Sequence, residues 1–211
     1  MCTRICWLVF ILVMQCVTTP KAHSQSLSIQ IYDQGNRPLA DAVVEIISPT
    51  AAIVNSGIQH VAQEQLTFVP FVTATPKGSL IDFPNRDKTR HHVYSFSSAK
   101  TFEIELYTGK PEEPVLFDEP GIVVLGCNIH DYMLAYIYVG ESPLLLVTDE
   151  NGKVYFPEVP QETLRIKLWH PWQLEQQTEQ VVSAPLKTEL SFTLAVAAKE
   201  KPRPPKRGFG S

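Results

Sequence analysis

From Leu27 onward the chain is built of short, β-branched apolar runs separated by turn residues. Leu27 to Ile47 alternates apolar and polar positions on both sides of Asp33-Gln34-Gly35-Asn36, which predicts two strands joined as a hairpin. Ser48 to Gln59 has no period and predicts a connection. From Val61 the strand pattern resumes: Phe68 to Val72, a turn at Pro76-Lys77-Gly78, Leu80 to Phe83, a polar loop over Asn85 to Arg90, and a strand opening at His91-His92-Val93. Phe102, Ile104 and Leu106 alternate with Glu103 and Glu105, a strand with one wet face. After the Pro- and acid-rich stretch Pro111 to Pro120, Ile122 to Leu125 predicts a buried strand that ends at Cys127, and Leu134 to Val139 carries the chain away as another.

A second series of short strands follows, over Leu144 to Val147, Val154 to Phe156, Leu164 to Trp169, Thr178 to Val182 and Leu186 to Leu194. By itself this segment is close to the smallest size at which a core holds together, so it needs a partner surface. The hydrophobic fraction of 44%, with 17 Pro and 10 Gly in 211 residues, fits an all-β chain. The reading is one large or two small domains.

The first residues read as a signal peptide over 1–24. Arg4 gives a positive start, Ile5 to Val17 an apolar run, and Ala22-His23-Ser24 a small-x-small cleavage site. Gln15 interrupts the run, which is also shorter than the roughly 20 residues that span a bilayer. The expectation is therefore export to the periplasm with no membrane anchor after cleavage. Cleavage removes Cys2, Cys6 and Cys16 and leaves Cys127 as the single cysteine. An unpaired thiol in an oxidising compartment is a hazard unless it is buried, paired between chains or held by a metal.

The formal net charge of −4 becomes more negative once Arg4 and Lys21 leave with the leader. No basic stripe with interleaved aromatics exists outside the tail, so nucleic acid is excluded as a partner. Residues 196–211, Pro-rich and basic, predict a disordered tail.

The candidate chemistry lies in Gly126-Cys127-Asn128-Ile129-His130-Asp131-Tyr132-Met133. It sets a thiol, an imidazole and a thioether at three-residue steps in a strand-to-strand loop. A type 1 copper site takes two imidazoles and a thiolate in a plane with a weak axial thioether. One further His must then come from elsewhere, and His91-His92 is the candidate pair. The competing reading is a buried small hydrophobe, a satisfied histidine and a core-filling methionine. His170, in Trp169-His170-Pro171-Trp172, reads as a packed strand end.

Three anchors in this stretch resemble the cupredoxins, the blue copper proteins, and among them the amicyanins and methylamine-utilisation-type cupredoxin-like proteins. They are Asn85 to Val93, with an Asn six positions before the first His; Phe117-x-Glu119-x-Gly121 followed by Cys127; and Cys127-x-x-His130-x-x-Met133. The resemblance covers about residues 56–140 and implies a Greek-key β-sandwich. It also implies copper on His91, Cys127, His130 and Met133, with Met133 as the long axial ligand. Asn85 would brace the ligand loop, and His92 would fall beside the site, facing away because adjacent strand residues face opposite sides.

This chain departs from the resembled pattern at Arg90 and Asp131, where the family has proline. Asp131 makes the surface beside the second histidine acidic. The ends, Leu27 to Ile47 and Thr148 to Trp169, are similar to the opening and closing halves of a carboxypeptidase regulatory-like (transthyretin-like) β module. The expected organisation is a copper domain at 56–140 with the ends, 27–48 and 141–195, forming either one composite module into which it is inserted or two independent segments.

The implied function is an exported single-electron carrier, Cu(I)/Cu(II), serving a periplasmic redox protein or dehydrogenase. Copper storage or delivery with the same ligands is the alternative. A non-metal adhesion or carbohydrate-binding module is a third reading, which the four matched ligand types oppose. The chain is not expected to be an enzyme, since no nucleophile–base set is present and a four-ligand site leaves no open position.

Overall fold

Residues with β-branched and aromatic side chains at alternate positions form strands, and every regular element among the described residues is one. The computed structural model describes residues 24–48, 57–111, 113–160, 164–174, 180–185 and 187–205. The leader and its three cysteines lie outside the described residues.

The strands in chain order are β1 Ser24–Asp33, β2 Val43–Ile47, β3 Ile58–His60, β4 Ala62–Glu64, β5 Thr67–Val69, β6 Val72–Pro76, β7 Ser79–Asp82, β8 His91–Ser97 and β9 Lys100–Tyr107. They continue as β10 Val115–Phe117, β11 Gly121–Cys127, β12 Leu134–Gly140, β13 Leu145–Val147, β14 Lys153–Pro160, β15 Leu164–Trp169, β16 Gln180–Ala184 and β17 Glu189–Leu194.

Two layers enclose the middle of the chain. A five-stranded sheet, β6-β12-β11-β8-β9, faces a three-stranded one, β10-β7-β3. Between them Ile81, Phe83, Val93, Phe117, Val123, Leu125, Ala135 and Ile137 form a core that also contains Cys127 and Met133. The arrangement is an all-β sandwich, as the sequence predicts.

The two ends of the chain supply the other sheets, β14-β1-β17 and β13-β2-β15-β16. Their core joins Leu27, Ile29 and Ile31 to Val44, Ile46, Val154, Phe156, Ile166 and Leu168. The predicted β1–β2 hairpin is not formed. The turn at Asp33 is present, with the Asp33 carboxylate accepting the N–H of Gly35 at 2.8 Å and of Arg37 at 2.9 Å, but pairing stops at the Tyr32–Pro38 bridge. Val43 to Ile46 are buried on both faces, so β2 sits centrally between β13 and β15 and cannot be the half-wet partner of β1.

β2 is buried on both faces because its second face meets the five-stranded sheet of the middle sandwich. Val43, Leu145 and Trp169 pack there against Phe71, Val72 and Tyr138. Glu45, wholly buried in this joint, accepts the Tyr138 hydroxyl at 2.8 Å and the N–H groups of Glu141 at 2.6 Å and Ser142 at 2.7 Å. Those donors satisfy a charge that burial would otherwise disfavour. Gly140 is required beside it, since a Cβ there would lie 2.8 Å from Glu45 Oε1.

His170 is also structural. Its Nε2–H donates to Ala40 O at 3.2 Å and its Nδ1 accepts the Trp172 N–H at 3.1 Å, so both ring nitrogens are used in the neutral form. The start of the predicted tail is held as well. Val196 exchanges both backbone bonds with the Gln34 amide, and Lys201 reaches Asp41 at 2.6 Å and lies over the Phe71 ring. Residues 196–205 of the expected tail are thus placed, and residues 206–211 lie outside the described residues.

Two measurements check this account. Glu45→Leu removes the carboxylate that accepts from the Tyr138 hydroxyl and from the Glu141 and Ser142 N–H groups, and urea unfolding should show a loss of about 3 kcal/mol or more. Burial pushes the His170 pKa down to about 4 from its usual 6.5. Its contribution is therefore complete above pH 6.5 and is lost as pH falls toward 4, on the order of 3 kcal/mol in all. The urea midpoint of His170→Phe should accordingly fall less than wild type's between pH 7.5 and 4.5.

Candidate metal centre

Strand β11 ends by placing Cys127 inside the sandwich, 2% exposed and free of disulfide. The loop that follows closes through the Met133 N–H donating to His130 O at 2.8 Å, and this turn returns Met133 to the same core, 1% exposed. His91 comes from the first position of β8, the strand paired with β11 through Cys127 and Val93, and is wholly buried. Its Nδ1 lies 3.8 Å from Cys127 Sγ. The ring of His130 stands 5.1 Å from that of His91 between centroids. One ligand atom from each of His91, Cys127 and His130 falls within 4.8 Å of the others. Met133 shares the hydrophobic cluster with Cys127 and, with it, lines one cavity.

His92 does not join this group. Its Nε2 meets Glu103 at 2.8 Å and its ring lies 5.7 Å from that of Tyr94, on the outer face of the sheet. His91, Val93 and Ser95, at alternate positions of β8, are each 0% exposed, and His92 falls between them on the opposite face. Asp131 is exposed and lines the cavity beside Cys127.

Asn85 is buried, but its bonds differ from the sequence expectation. Its Nδ2 donates to Thr89 O and Tyr107 O, both at 2.9 Å, and its Oδ1 accepts the Asp87 N–H at 2.9 Å. It therefore braces the 85–90 loop that delivers His91, and none of these bonds reaches the 127–133 loop. Its position before His91 explains the correction, since the short loop turns back on its own backbone.

Sequence reasoning missed Asp87. Its Oδ2 lies 2.9 Å from His91 Nε2, and its two oxygens accept the N–H groups of Gln65 at 2.8 Å and Leu66 at 2.9 Å. Those two residues form the two-residue connection between β4 and β5, with φ of 54° and 61°. Hairpins that need two positive φ values normally take Asn-Gly or Asp-Gly there. Here neither residue is a Gly or Asn, and the carboxylate holds both amides instead. The signal was the turn's unsuitable sequence, which gives no pointer to a partner 22 residues on.

A carboxylate accepts only, so His91 Nε2 carries the proton and its Nδ1 lone pair faces the thiol. Burial pushes the Asp87 carboxyl up, but the Leu66 N–H, the His91 ring and the Gln65 N–H outweigh it and set its pKa below the usual aspartate value. For His130, burial first and the His91 ring second lower the pKa, against an opposing pull from Asp87. Its Nδ1 is buried with no hydrogen-bond partner. A buried imidazole nitrogen without a hydrogen-bond partner, a thiol and an oriented imidazole are what a soft or borderline metal ion takes up. The residues present fit copper.

No protein-family model matches the chain, and no curated protein matches it. Solved structures that it resembles include a copper-containing nitrite reductase from Thermus scotoductus, with 23% identity over 46% of this chain and TM-score 0.39. That match spans 25% of the nitrite reductase chain. A purple cupredoxin from Nitrosopumilus maritimus is 16% identical over 39% of this chain and 99% of its own, TM-score 0.35. Amicyanin from Paracoccus versutus is 14% identical over 46% of this chain and 97% of its own, TM-score 0.35. The likeness to these three structures concerns the fold alone.

Asp87→Ala should release the Gln65-Leu66 turn and the His91 ring together. The expected outcome is a loss of about 2–3 kcal/mol in urea unfolding and of roughly 10- to 100-fold in copper affinity by competition titration. Asp87→Asn, which keeps one acceptor oxygen, should fall between.

Proposed function

We propose that this chain is an exported type 1 copper protein that carries single electrons for a periplasmic redox protein or dehydrogenase. The observation that supports it best is the gathering of three donor atoms from His91, Cys127 and His130 within 4.8 Å, in a buried pocket that also contains Met133. His91, Cys127 and His130 would hold the ion, with the Met133 thioether as a further, weaker donor. Copper bound there supplies a one-electron couple between Cu(I) and Cu(II).

The protein's part is to keep the donors where they are in both states. Asp87 fixes the tautomer and orientation of His91, and the β11 strand fixes Cys127. Burial of His91, Cys127 and Met133 excludes water, so little has to reorganise when charge changes. A carrier of this kind performs no bond chemistry on a substrate, and we read the chain as a non-enzyme.

In the same reading, 27–48 and 141–195 form one carboxypeptidase regulatory-like module into which the copper domain of 56–140 is inserted. Pairing of β1 with β14, and of β2 with β13 and β15, supports this organisation. Export through the leader supplies the oxidising compartment in which a metal-held Cys127 is protected.

Copper loading of the mature chain should give an intense visible Cu(II)–thiolate band and a small parallel hyperfine splitting, with reversible electrochemistry. Cys127→Ser should abolish the band and His92→Ala should keep it. A colourless loaded protein whose Cys127 still titrates with a thiol reagent would overturn the reading. A coloured protein without reversible electrochemistry would favour storage or delivery.

A further inference from the structure

The five-stranded sheet turns its inner face to the metal centre, and its outer face is divided in two. One part, with Phe71, Val72 and Tyr138, is covered by Val43, Leu145 and Trp169. The other, on β8, β9 and the end of β11, is open. There His92, Tyr94 and Phe96 stand at alternate positions of β8 and stack in a row, with centroids 5.7 and 5.1 Å apart. Phe96 is 77% exposed, the highest value among the exposed large hydrophobic side chains described. An aromatic ring left in water contributes nothing to the core, and at a site edge it marks a contact surface.

This open part reaches the metal centre through one residue. The Tyr94 ring lies across Gly126, where a Cβ would sit 2.7 Å from Tyr94 Cζ. Gly126 is bonded to Cys127, so the absence of a side chain there lets an aromatic ring approach the backbone beside the thiol. A cavity of about 310 Å³ opens at this point, lined by Tyr94, Phe96, Gly126, Cys127, Asp131 and Met133.

The rim is acidic. Glu103, paired across from Tyr94, and Glu105 project from β9 on this face and are exposed, and Asp131 is exposed at the cavity. The neighbouring cation Lys100 is engaged by Asp118 at 3.2 Å, and His92 by Glu103.

We propose that this face docks a redox protein whose exposed cofactor edge is ringed by basic residues. Tyr94 and Phe96 form the centre of the contact, and Glu103, Glu105 and Asp131 form its rim. The proposal rests on the electron-carrier reading above. An apolar aromatic centre within a charged rim is the usual anatomy of a protein interface. The small patch suits a transient contact, and the acidic rim steers a basic partner. A second copy of this chain would bring the same acidic rim against itself, which disfavours it as the occupant.

Cytochrome c, whose haem edge is ringed by lysines, serves as the probe. Amide-shift mapping of the mature chain with cytochrome c at low ionic strength should perturb Tyr94 to Ser97, Thr101 to Glu105 and Asp131, and salt above about 0.2 M should remove the shifts. Phe96→Ser, and Glu103→Gln with Glu105→Gln, should each weaken binding at least about 5-fold, while Ile129→Ser leaves it unchanged. Shifts centred on Ile129 and His130, no shifts, or indifference to Phe96→Ser would overturn the proposal. So would sedimentation of the chain alone as a dimer that Phe96→Ser dissociates. The mapping reads contact with or without copper. A colourless protein that shows these shifts fails as a carrier while the docking face stands, and a blue protein without them keeps the carrier reading and loses the face.

Discussion

The Asp87 carboxylate is the contact on which the rest of the metal centre depends. It is offered three donors: two backbone amides from a turn with positive φ at both residues, and the Nε2–H of His91. Left-handed backbone at Gln65 and Leu66 is unfavourable by about 1–2 kcal/mol per residue, and the paired charge-assisted bonds offset it. The same bonds commit one nitrogen of His91, which leaves the other aimed at Cys127. Turn, tautomer and ligand direction are thus coupled through one side chain. Asn85 supports it from behind by accepting the Asp87 N–H and tying Thr89 and Tyr107 to the loop.

A second constraint acts on the scale of the whole chain. Neither set of sheets closes by itself, because β2 is buried on both faces and the five-stranded sheet carries an apolar strip on its outer face. Placing one against the other buries Val43, Tyr138, Leu145 and Trp169, and the Glu45 carboxylate accepts from the Tyr138 hydroxyl and the Glu141 and Ser142 N–H groups at the joint. The part of the outer face that the joint leaves open is the part nearest Cys127. An arrangement that stabilises the ends of the chain therefore also decides which surface beside the metal centre a partner can reach.

Much of the centre was legible in the residues. Cys127, His130 and Met133 share one loop, so their proximity follows from chain length alone, and the strand before them reads as buried. The choice of His91 over His92 needed the alternation of a strand, which β8 keeps from its first residue. Asp87 was not legible, since nothing in Gln65-Leu66 announces a turn that needs an outside acceptor. The β1–β2 hairpin was misread for a similar reason. Alternation over Leu27 to Ile47 fits pairing between neighbours in sequence, and it is silent on whether each strand finds a better partner more than 100 residues away.

The sequence by itself determined the elements and the chemistry. Strand periodicity, turn residues and the three-residue spacing of thiol, imidazole and thioether are local properties, and local physics suffices to read them. The tertiary structure decided what those elements pair with and which side chains meet: the fourth strand-borne donor, the carboxylate that orients it, the joint at Glu45 and the half-open aromatic face. Each depends on contacts between residues far apart in the chain. Their energies arise only when burial removes the competing water, and no stretch of sequence carries that information alone.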